Sequence, residues 1–136
     1  MTIVNSSKSL LTAALRRHPW FDGVGDGALD ALATHSRWLR FEAGDTLFSE
    51  GQARTSCLLV CEGSVQGLRY TADGRDKVFG HVGPGGWLSA LTLFETSPRH
   101  LHSVRARTDG NGCLVQADAF RQLCLDDARF ACRVMS

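Results

Sequence analysis

The chain has 136 residues, with 15 basic and 14 acidic side chains that give a formal net charge of +1. A chain of this length is expected to form one domain, residues 1–136, and to bury a core without disulfides or a metal. The near-neutral charge argues against a nucleic-acid-binding surface. The sequence also contains no apolar run of about 20 residues, the length that would predict a membrane span. Because the start of the chain also lacks a signal-peptide pattern, we expect a cytoplasmic protein.

Helical patterns occupy residues 7–35 at the start of the chain. Apolar residues at helical spacing predict a first helix that ends at His18, the residue before a proline, where helical geometry is disfavoured. Asp26 is predicted to cap a second helix that presents Leu29 and Leu32 on one face. Two short helices are therefore expected before the first strand.

Short strands are predicted over residues 37–117, because turn signals recur at short intervals there. The clearest of these turns contain a glycine, which readily adopts a positive φ: Gly44, Gly51, Gly63, Gly74 and Gly85. Two hairpins are expected, namely Gln66–Tyr70 with Lys77–Val82 across Asp73-Gly74, and a strand near 101–107 with one near 113–117 across 109–112. Many short strands of this kind indicate an antiparallel sandwich or barrel.

Two further segments are predicted to be helical. The apolar stretch 87–94 follows the last glycine loop and is too densely apolar for simple strand alternation, so it predicts a short helix. Residues 118–136 predict two helices, the first capped by Asp118 and the second by Asp126 or Asp127. Helices on both sides of a run of antiparallel strands indicate an α+β fold that is mainly β.

Five segments, in this order and spacing, are together similar to a known family: HPWFDGVGDGALDALA at 18–33, FEAGDTLFSEG at 41–51, CLLVCEG at 57–63, YTADGRDKVFGHVGPGGWLSALTLF at 70–94 and ADAFRQL at 117–123. They resemble the effector domain of the Crp/Fnr transcription regulators, the cyclic-nucleotide-binding β-roll, over roughly residues 10–136. The resemblance implies an antiparallel β-roll or jelly roll flanked by short N- and C-terminal helices. It also implies that a small-molecule effector binds between the sheets.

The resemblance also sets the expected partners. In full-length members a long dimerisation helix and then a helix-turn-helix follow the roll, and residues 118–136 would include only the start of that dimerisation helix. We therefore expect a homodimer in the full-length protein, a monomer or weak dimer for this chain, and DNA binding only through the missing helix-turn-helix. The chain is either an excised sensor domain or a stand-alone one.

The family's phosphate cassette is altered in this sequence. In members that bind cyclic nucleotides, backbone N–H groups after the glycine loop meet the phosphate, a Gly-Glu pair binds the ribose, and an Arg followed by Ser or Thr pairs with the phosphate. The Gly-Glu positions here carry Ser89 and Ala90, and the Arg-Ser/Thr positions carry His100 and Leu101. Arg99 would replace the arginine only with a shift in register. Standard cyclic AMP is therefore expected to bind poorly.

The candidate effector pocket combines the glycine loop with the residues of the altered cassette: Gly85, Gly86, Trp87, Leu88, Ser89, Ala90, Arg99, His100 and Leu101. Trp87 is either a packing residue of the roll or a wall of the pocket. The effector itself is unknown: either a small anionic or nucleotide ligand binds here, or the domain has lost ligand binding.

Two histidines leave other functions open. His100 and His102 are two apart on a predicted strand, so both would point to the inner face with Val104. They could bind a metal or haem iron, with His81 as a conceivable third ligand, which makes a gas or redox sensor of the same fold the alternative function. A cupin-like metal-binding protein is a second alternative, although no acidic partner follows the H-x-H. The simpler interpretation is one hydrogen-bonded pocket histidine and one partly exposed histidine.

The five cysteines are interpreted mainly as small packing residues, Cys124 and Cys132 among them. Cys57 and Cys61 would share a face of one strand, about 13 Å apart, which is too far for a disulfide. No nucleophile–base pair or carboxylate pair is recognisable, so an enzyme is not expected. The sequence thus predicts a ligand-sensing effector domain of a Crp/Fnr-like regulator with a degenerate phosphate cassette.

Overall fold

The computed structural model describes residues 1–89 and 99–135 of the chain. Its helices flank residues 36–116, which include every described strand but the first: α1 (Lys8–Arg16), a 3-10 turn (Pro19–Phe21), α2 (Asp26–Thr34), α3 (Ala117–Asp126) and α4 (Ala128–Met135). Its strands are β1 (Thr2–Val4), β2 (Ser36–Phe41), β3 (Thr46–Phe48), β4 (Ser56–Glu62), β5 (Val65–Tyr70), β6 (Asp76–Val82), β7 (Trp87–Leu88), β8 (Ser103–Ala106) and β9 (Gly110–Gln116).

The described strands form two antiparallel sheets. Sheet A has the order β1-β2-β9-β4-β7, and sheet B has the order β3-β8-β5-β6. This confirms the predicted fold class, an α+β fold that is mainly β, with a β-roll flanked by helices. The sequence did not predict β1, because three residues are too few to show alternation; Thr2 pairs with Arg40 of β2.

Strand β4 separates two hydrophobic cores. Cys57 and Leu59 face a core shared with the helices, whereas Leu58 and Val60 face a core between the two sheets. All four side chains are completely buried. A strand covered on both faces has no polar side, which explains why this segment is continuously apolar in the sequence.

The five glycines predicted in turns all adopt positive φ, between +80° and +93°. The structure therefore bears out the left-handed backbone that the turn pattern requires. Gly63 meets a second requirement, because a Cβ on it would lie 2.5 Å from the carbonyl oxygen of Asp109. No larger residue fits there without moving the backbone.

Of the two predicted hairpins, the structure contains the first and not the second. β5 and β6 pair from Val65–Val82 to Tyr70–Asp76, as expected. In contrast, β8 pairs with β3 and β5 in sheet B, whereas β9 pairs with β2 and β4 in sheet A. Residues 110–112 lie inside β9, because Gly110 and Gly112 let this strand approach β4: a Cβ on Gly112 would lie 2.4 Å from the Leu59 carbonyl oxygen.

Two of the predicted helix caps are wrong by one or two residues. The N-cap residues of α2 and α3 are Gly25 and Gln116, and Asp26 and Asp118 lie inside the first turns. A carboxylate in the first turn still interacts favourably with the positive end of the helix. The prediction for α4 is confirmed at Asp127, whose Oδ1 accepts a hydrogen bond of 3.0 Å from the backbone N–H of Phe130.

The helices are joined to the roll by aromatic side chains. Phe21 stacks on Phe130 of α4 with ring centroids 5.3 Å apart. The indole Nε1 of Trp20 donates a 2.6 Å hydrogen bond to the carbonyl oxygen of Gly85, and Arg133 of α4 donates to the carbonyl oxygen of Trp20 at 3.1 Å. Trp20 therefore connects the glycine loop before β7 to the last helix.

Most of the cysteines pack inside the protein. Cys57 and Cys61 share the helix-side face of β4 without a disulfide between them, and burial raises the pKa of the Cys57 thiol. Cys124 is also buried, whereas Cys132 is exposed, so its interpretation as a packing residue is wrong. The reason is its position on the outer face of α4, opposite Phe130 and Val134.

Candidate functional site

The glycine loop before β7 is hydrogen-bonded to the protein itself. The N–H of Gly85 donates to the carbonyl oxygen of Val60 at 2.7 Å, and the N–H of Gly86 donates to the carbonyl oxygen of Gly83 at 3.0 Å. The carbonyl oxygen of Gly86 accepts from the N–H of Val60 at 2.9 Å. Two of the amides that a phosphate would need therefore point to protein carbonyl groups.

The start of the predicted helix 87–94 is a strand in the structure. Trp87 and Leu88 form β7 and pair with Leu59 and Leu58 of β4, which supplies backbone partners that a helix start would leave unsatisfied. Ser89 follows with φ +67°, a conformation that is uncommon outside glycine. Ala90 and the rest of the predicted helix lie outside the described residues.

Trp87 and Leu88 face opposite sides of sheet A. The Trp87 ring lies 5.2 Å from Phe120 and 6.1 Å from Phe21, on the side that the helices cover. Leu88 belongs to the core between the sheets. Trp87 is thus a packing residue, and of the two only Leu88 faces the interior of the roll.

Arg99, His100 and Leu101 place their side chains in different environments. Arg99 is exposed and pairs with Ala53 in an isolated bridge, and its Nη1 donates to the carbonyl oxygen of Gly51 at 2.7 Å. His100 is 7% exposed and stacks on Phe48, with ring centroids 4.7 Å apart. Leu101 is 49% exposed. Only His100 of these three brings its side chain into the roll.

His102 lies beside the same interior. Its ring covers Gly67 so closely that a Cβ on this glycine would lie 2.9 Å from both Cδ2 and Nε2. The ring also contacts Phe79 of β6, with centroids 5.6 Å apart. Gly67 pairs with Gly80 and with Val104, and the imidazole occupies the space that the missing Cβ of Gly67 leaves open.

The prediction that both histidines lie on a strand is wrong. β8 begins at Ser103, and the backbone of His100 instead pairs with the turn of Gly51 and Gln52, through two hydrogen bonds of 2.9 Å. The chain is therefore hydrogen-bonded to this turn just before β8 begins. The two rings consequently rest on different aromatic partners, Phe48 and Phe79.

Arg54 is a buried charged residue that the sequence patterns did not single out. It is 7% exposed, and its Nη2 donates to the carbonyl oxygen of Arg99 at 2.6 Å. Burial, followed by the positive charge of Arg54 and the proximity of His102, lowers the pKa of the His100 imidazole. His100 is therefore neutral at neutral pH. An arginine in a loop carries no periodic signal, so only the fold reveals its burial.

Across residues 1–89 and 99–135, no group of three or more His, Cys, Asp or Glu side chains is arranged to hold a metal ion. His81, the conceivable third ligand, is exposed on β6. The cupin-like alternative thus receives no metal-binding cluster from the described part of the chain. In the same part, no helix is both long enough and apolar enough to span a bilayer.

Comparison with known proteins gives concordant matches. The family model described as the cyclic nucleotide-binding domain matches residues 38–127. The cAMP-activated global transcriptional regulator CRP of Salmonella typhimurium is 24% identical over 98 residues, which cover 72% of this chain and 47% of that protein. The chain therefore spans about half the length of this relative.

Two further matches bear on architecture. The sensor domain of the transcriptional regulator DNR from Pseudomonas aeruginosa superposes with a TM-score of 0.82 and 16% identity, over 94% of this chain and 85% of that one, so the similarity concerns the fold. The acetyltransferase Pat of Mycolicibacterium smegmatis is 32% identical over 87 residues, which are 64% of this chain and 26% of that enzyme. The similarity to this enzyme is thus confined to about a quarter of its length.

Proposed function

The chain belongs to the cyclic nucleotide-binding domain family, and from this we propose that it is the effector-sensing domain of a Crp/Fnr-like regulator that does not use the standard cyclic AMP cassette. The supporting observation is where the expected phosphate donors point. The amides of Gly85 and Gly86 donate to Val60 and Gly83, and the guanidinium of Arg99 donates to Gly51. All three groups therefore have hydrogen-bond partners within the protein.

The loss of donors translates into a weak complex. A hydrogen bond to a charged group contributes roughly 1.5–3 kcal/mol, and each 1.4 kcal/mol changes affinity about tenfold. His100 stands at the arginine position, and a neutral imidazole has one N–H and no charge to offer a phosphate. A dissociation constant for cyclic AMP well above the micromolar range follows.

The interior favours an effector of a different kind. His100 stacks on the buried Phe48, and the His102 ring covers Gly67 and contacts the half-exposed Phe79. A small anionic or nucleotide effector that contacts imidazole nitrogens, rather than an arginine fork, matches these groups. It would displace the His102 ring from Gly67 or stack on it.

Calorimetric titration with cyclic AMP and cyclic GMP at about pH 7.5 tests the proposal. The wild-type chain should bind both weakly, and the double change Ala90→Glu with His100→Arg should raise the affinity by restoring the family's ribose acceptor and phosphate fork. Arg99→Gln is the matched control and should leave binding unchanged. Submicromolar binding by the wild type that Arg99→Gln abolishes would place Arg99 at the phosphate and overturn the proposal.

Haem or metal sensing is a second candidate function, because the His100 ring lies inside the roll on Phe48 and the His102 ring covers Gly67 only two positions later in the chain. Absorption spectra after addition of haem distinguish the candidates. A Soret band that His100→Ala or His102→Ala removes, and that the exposed-site change His35→Ala retains, would favour the haem sensor. A spectrum of unbound haem would favour the first proposal.

The same proposal includes the wider organisation of the protein. Residues 1–136 would act as one sensor domain without enzymatic activity, in a cytoplasmic regulator that dimerises and binds DNA through segments beyond this domain. The pairing of Trp20 with Gly85 and Arg133 supports signal transfer, because it connects the glycine loop to α4. In this scheme the effector acts on DNA binding by moving the last helix.

A further inference from the structure

A cavity of about 460 Å³ lies outside the roll, where β2 and β4 begin and β9 passes into α3. This volume is within the range of small-ligand clefts, roughly 300–1,000 Å³. None of the residues predicted from the phosphate cassette lines it. We call it the basic cavity, because of the side chains that surround it: His35, Arg37, Arg54 and Arg121.

Positive charge is concentrated at the basic cavity. Three arginines and one histidine line it against a single carboxylate, that of Asp118, although the whole chain carries a net charge of only +1. Asp118 is bound to Arg121 at 3.0 Å and is otherwise turned to solvent, with 98% of its side chain exposed. Arginine remains charged at all physiological pH values, so the lining of the cavity carries more positive than negative charge.

The protein backbone adds to this electrostatic environment. Helix α3 is 10 residues long and starts at the cavity, and its N-cap Gln116 makes no side-chain hydrogen bond to the first turn. Ala117 and Asp118, the first residues of the helix, are part of the cavity lining. The positive end of the helix dipole is thus directed to the same place as the guanidinium groups.

We propose that the basic cavity binds a small polyanion, a molecule that carries phosphate groups or several carboxylates, as a second ligand site distinct from the roll. Arg37 belongs to β2 and Arg121 to α3, and both line the cavity, so a polyanion bound there would lie between guanidinium groups from two different elements. Arg54 forms the buried end of the cavity and holds the carbonyl oxygen of Arg99 at 2.6 Å. A bound anion would thereby contact a residue that also binds the backbone directly before His100.

Calorimetric titration with pyrophosphate, and separately with citrate, tests the proposal on the intact chain. Either probe should bind with a defined stoichiometry of one, and the tighter of the two identifies the source of the negative charge. Arg37→Gln and Arg121→Gln should each weaken binding about tenfold or more. The matched control is Arg40→Gln, which removes an exposed arginine of the same strand that does not line the cavity.

Three results would overturn the proposal: no saturable binding of either probe, an equal loss of affinity in Arg37→Gln and Arg40→Gln, or unchanged affinity in Arg37→Gln. Because Arg37 is exposed, its substitution should fold normally, so the test stands even if Arg121→Gln is destabilised by the loss of its pair with Asp118. Cyclic nucleotide titrations of Arg37→Gln should match the wild type, which separates this site from the proposal for the roll.

Discussion

Gly63→Ala should destabilise the protein more than Gly74→Ala, although the two glycines adopt nearly the same backbone angle. Their φ values are +86° and +80°. At either position, the Cβ of an alanine at such an angle costs roughly 1–2 kcal/mol of conformational free energy. Only at Gly63 would the new Cβ also meet the backbone, with the Asp109 carbonyl oxygen at 2.5 Å and the Gly110 Cα at 2.9 Å, whereas nothing lies within 4 Å at Gly74.

The close approach gives the size of the difference. Forcing extra volume into a packed site typically costs about 1–3 kcal/mol, because the backbone has to shift. Gly63→Ala should therefore lower the free energy of unfolding by about 2–5 kcal/mol, and Gly74→Ala by about 1–2 kcal/mol. The stiffening of the unfolded chain by alanine is the same in both variants and cancels from the comparison.

Urea unfolding monitored by tryptophan fluorescence and circular dichroism measures both values. The two variants should keep the wild-type dependence on denaturant, so that midpoints convert directly into free energies. A loss at Gly63 that is no larger than the loss at Gly74 would refute the reasoning, because the contact between the β4–β5 turn and the start of β9 would then contribute nothing.

Three other predictions concern side chains. His100→Gln should make the free energy of unfolding less sensitive to acid. Burial, Arg54 and His102 lower the pKa of His100 in the folded protein. Below about pH 6.5 the unfolded chain therefore binds a proton that the folded chain does not, and the wild type loses stability. Equal acid slopes of the unfolding free energy would contradict this. Trp20→Phe should lower that free energy by about 0.5–1.5 kcal/mol through loss of the hydrogen bond to Gly85, and an unchanged thermal midpoint would argue against it. Thiol labelling followed by mass spectrometry should modify exposed Cys132 in the native protein and buried Cys57 only after unfolding; early labelling of Cys57 would disprove its burial.

Features that depend on local backbone requirements were predictable from the sequence. The five turn glycines all take positive φ, and the hairpin around Gly74 has the expected strands, because few other residues adopt these angles at low energy. The two helical ends were also recognisable, since Leu29 and Leu32 repeat at helical spacing and are both buried. Boundaries and caps moved by a few residues, as at Asp26 and Asp118.

Features set by distant parts of the chain were not predictable. Trp87 and Leu88 form a strand because β4 lies beside them, and residues 110–112 continue a strand because their glycines allow close contact with β4. The positions of the candidate site residues follow the same rule. His100 lies inside the roll because its backbone is held by the turn at Gly51, forty-nine positions earlier in the chain.

The alternation along β4 couples two halves of the protein thermodynamically. One strand contributes side chains to both cores. Leu58 and Val60 pack between the sheets, and Cys57 and Leu59 pack against the helices. If either core unfolds, the strand that the other core packs against is lost. Both cores should therefore unfold in a single cooperative transition. A ligand that binds between the sheets therefore also stabilises the helices against unfolding. It should slow hydrogen exchange of the helix amides even though it does not contact them.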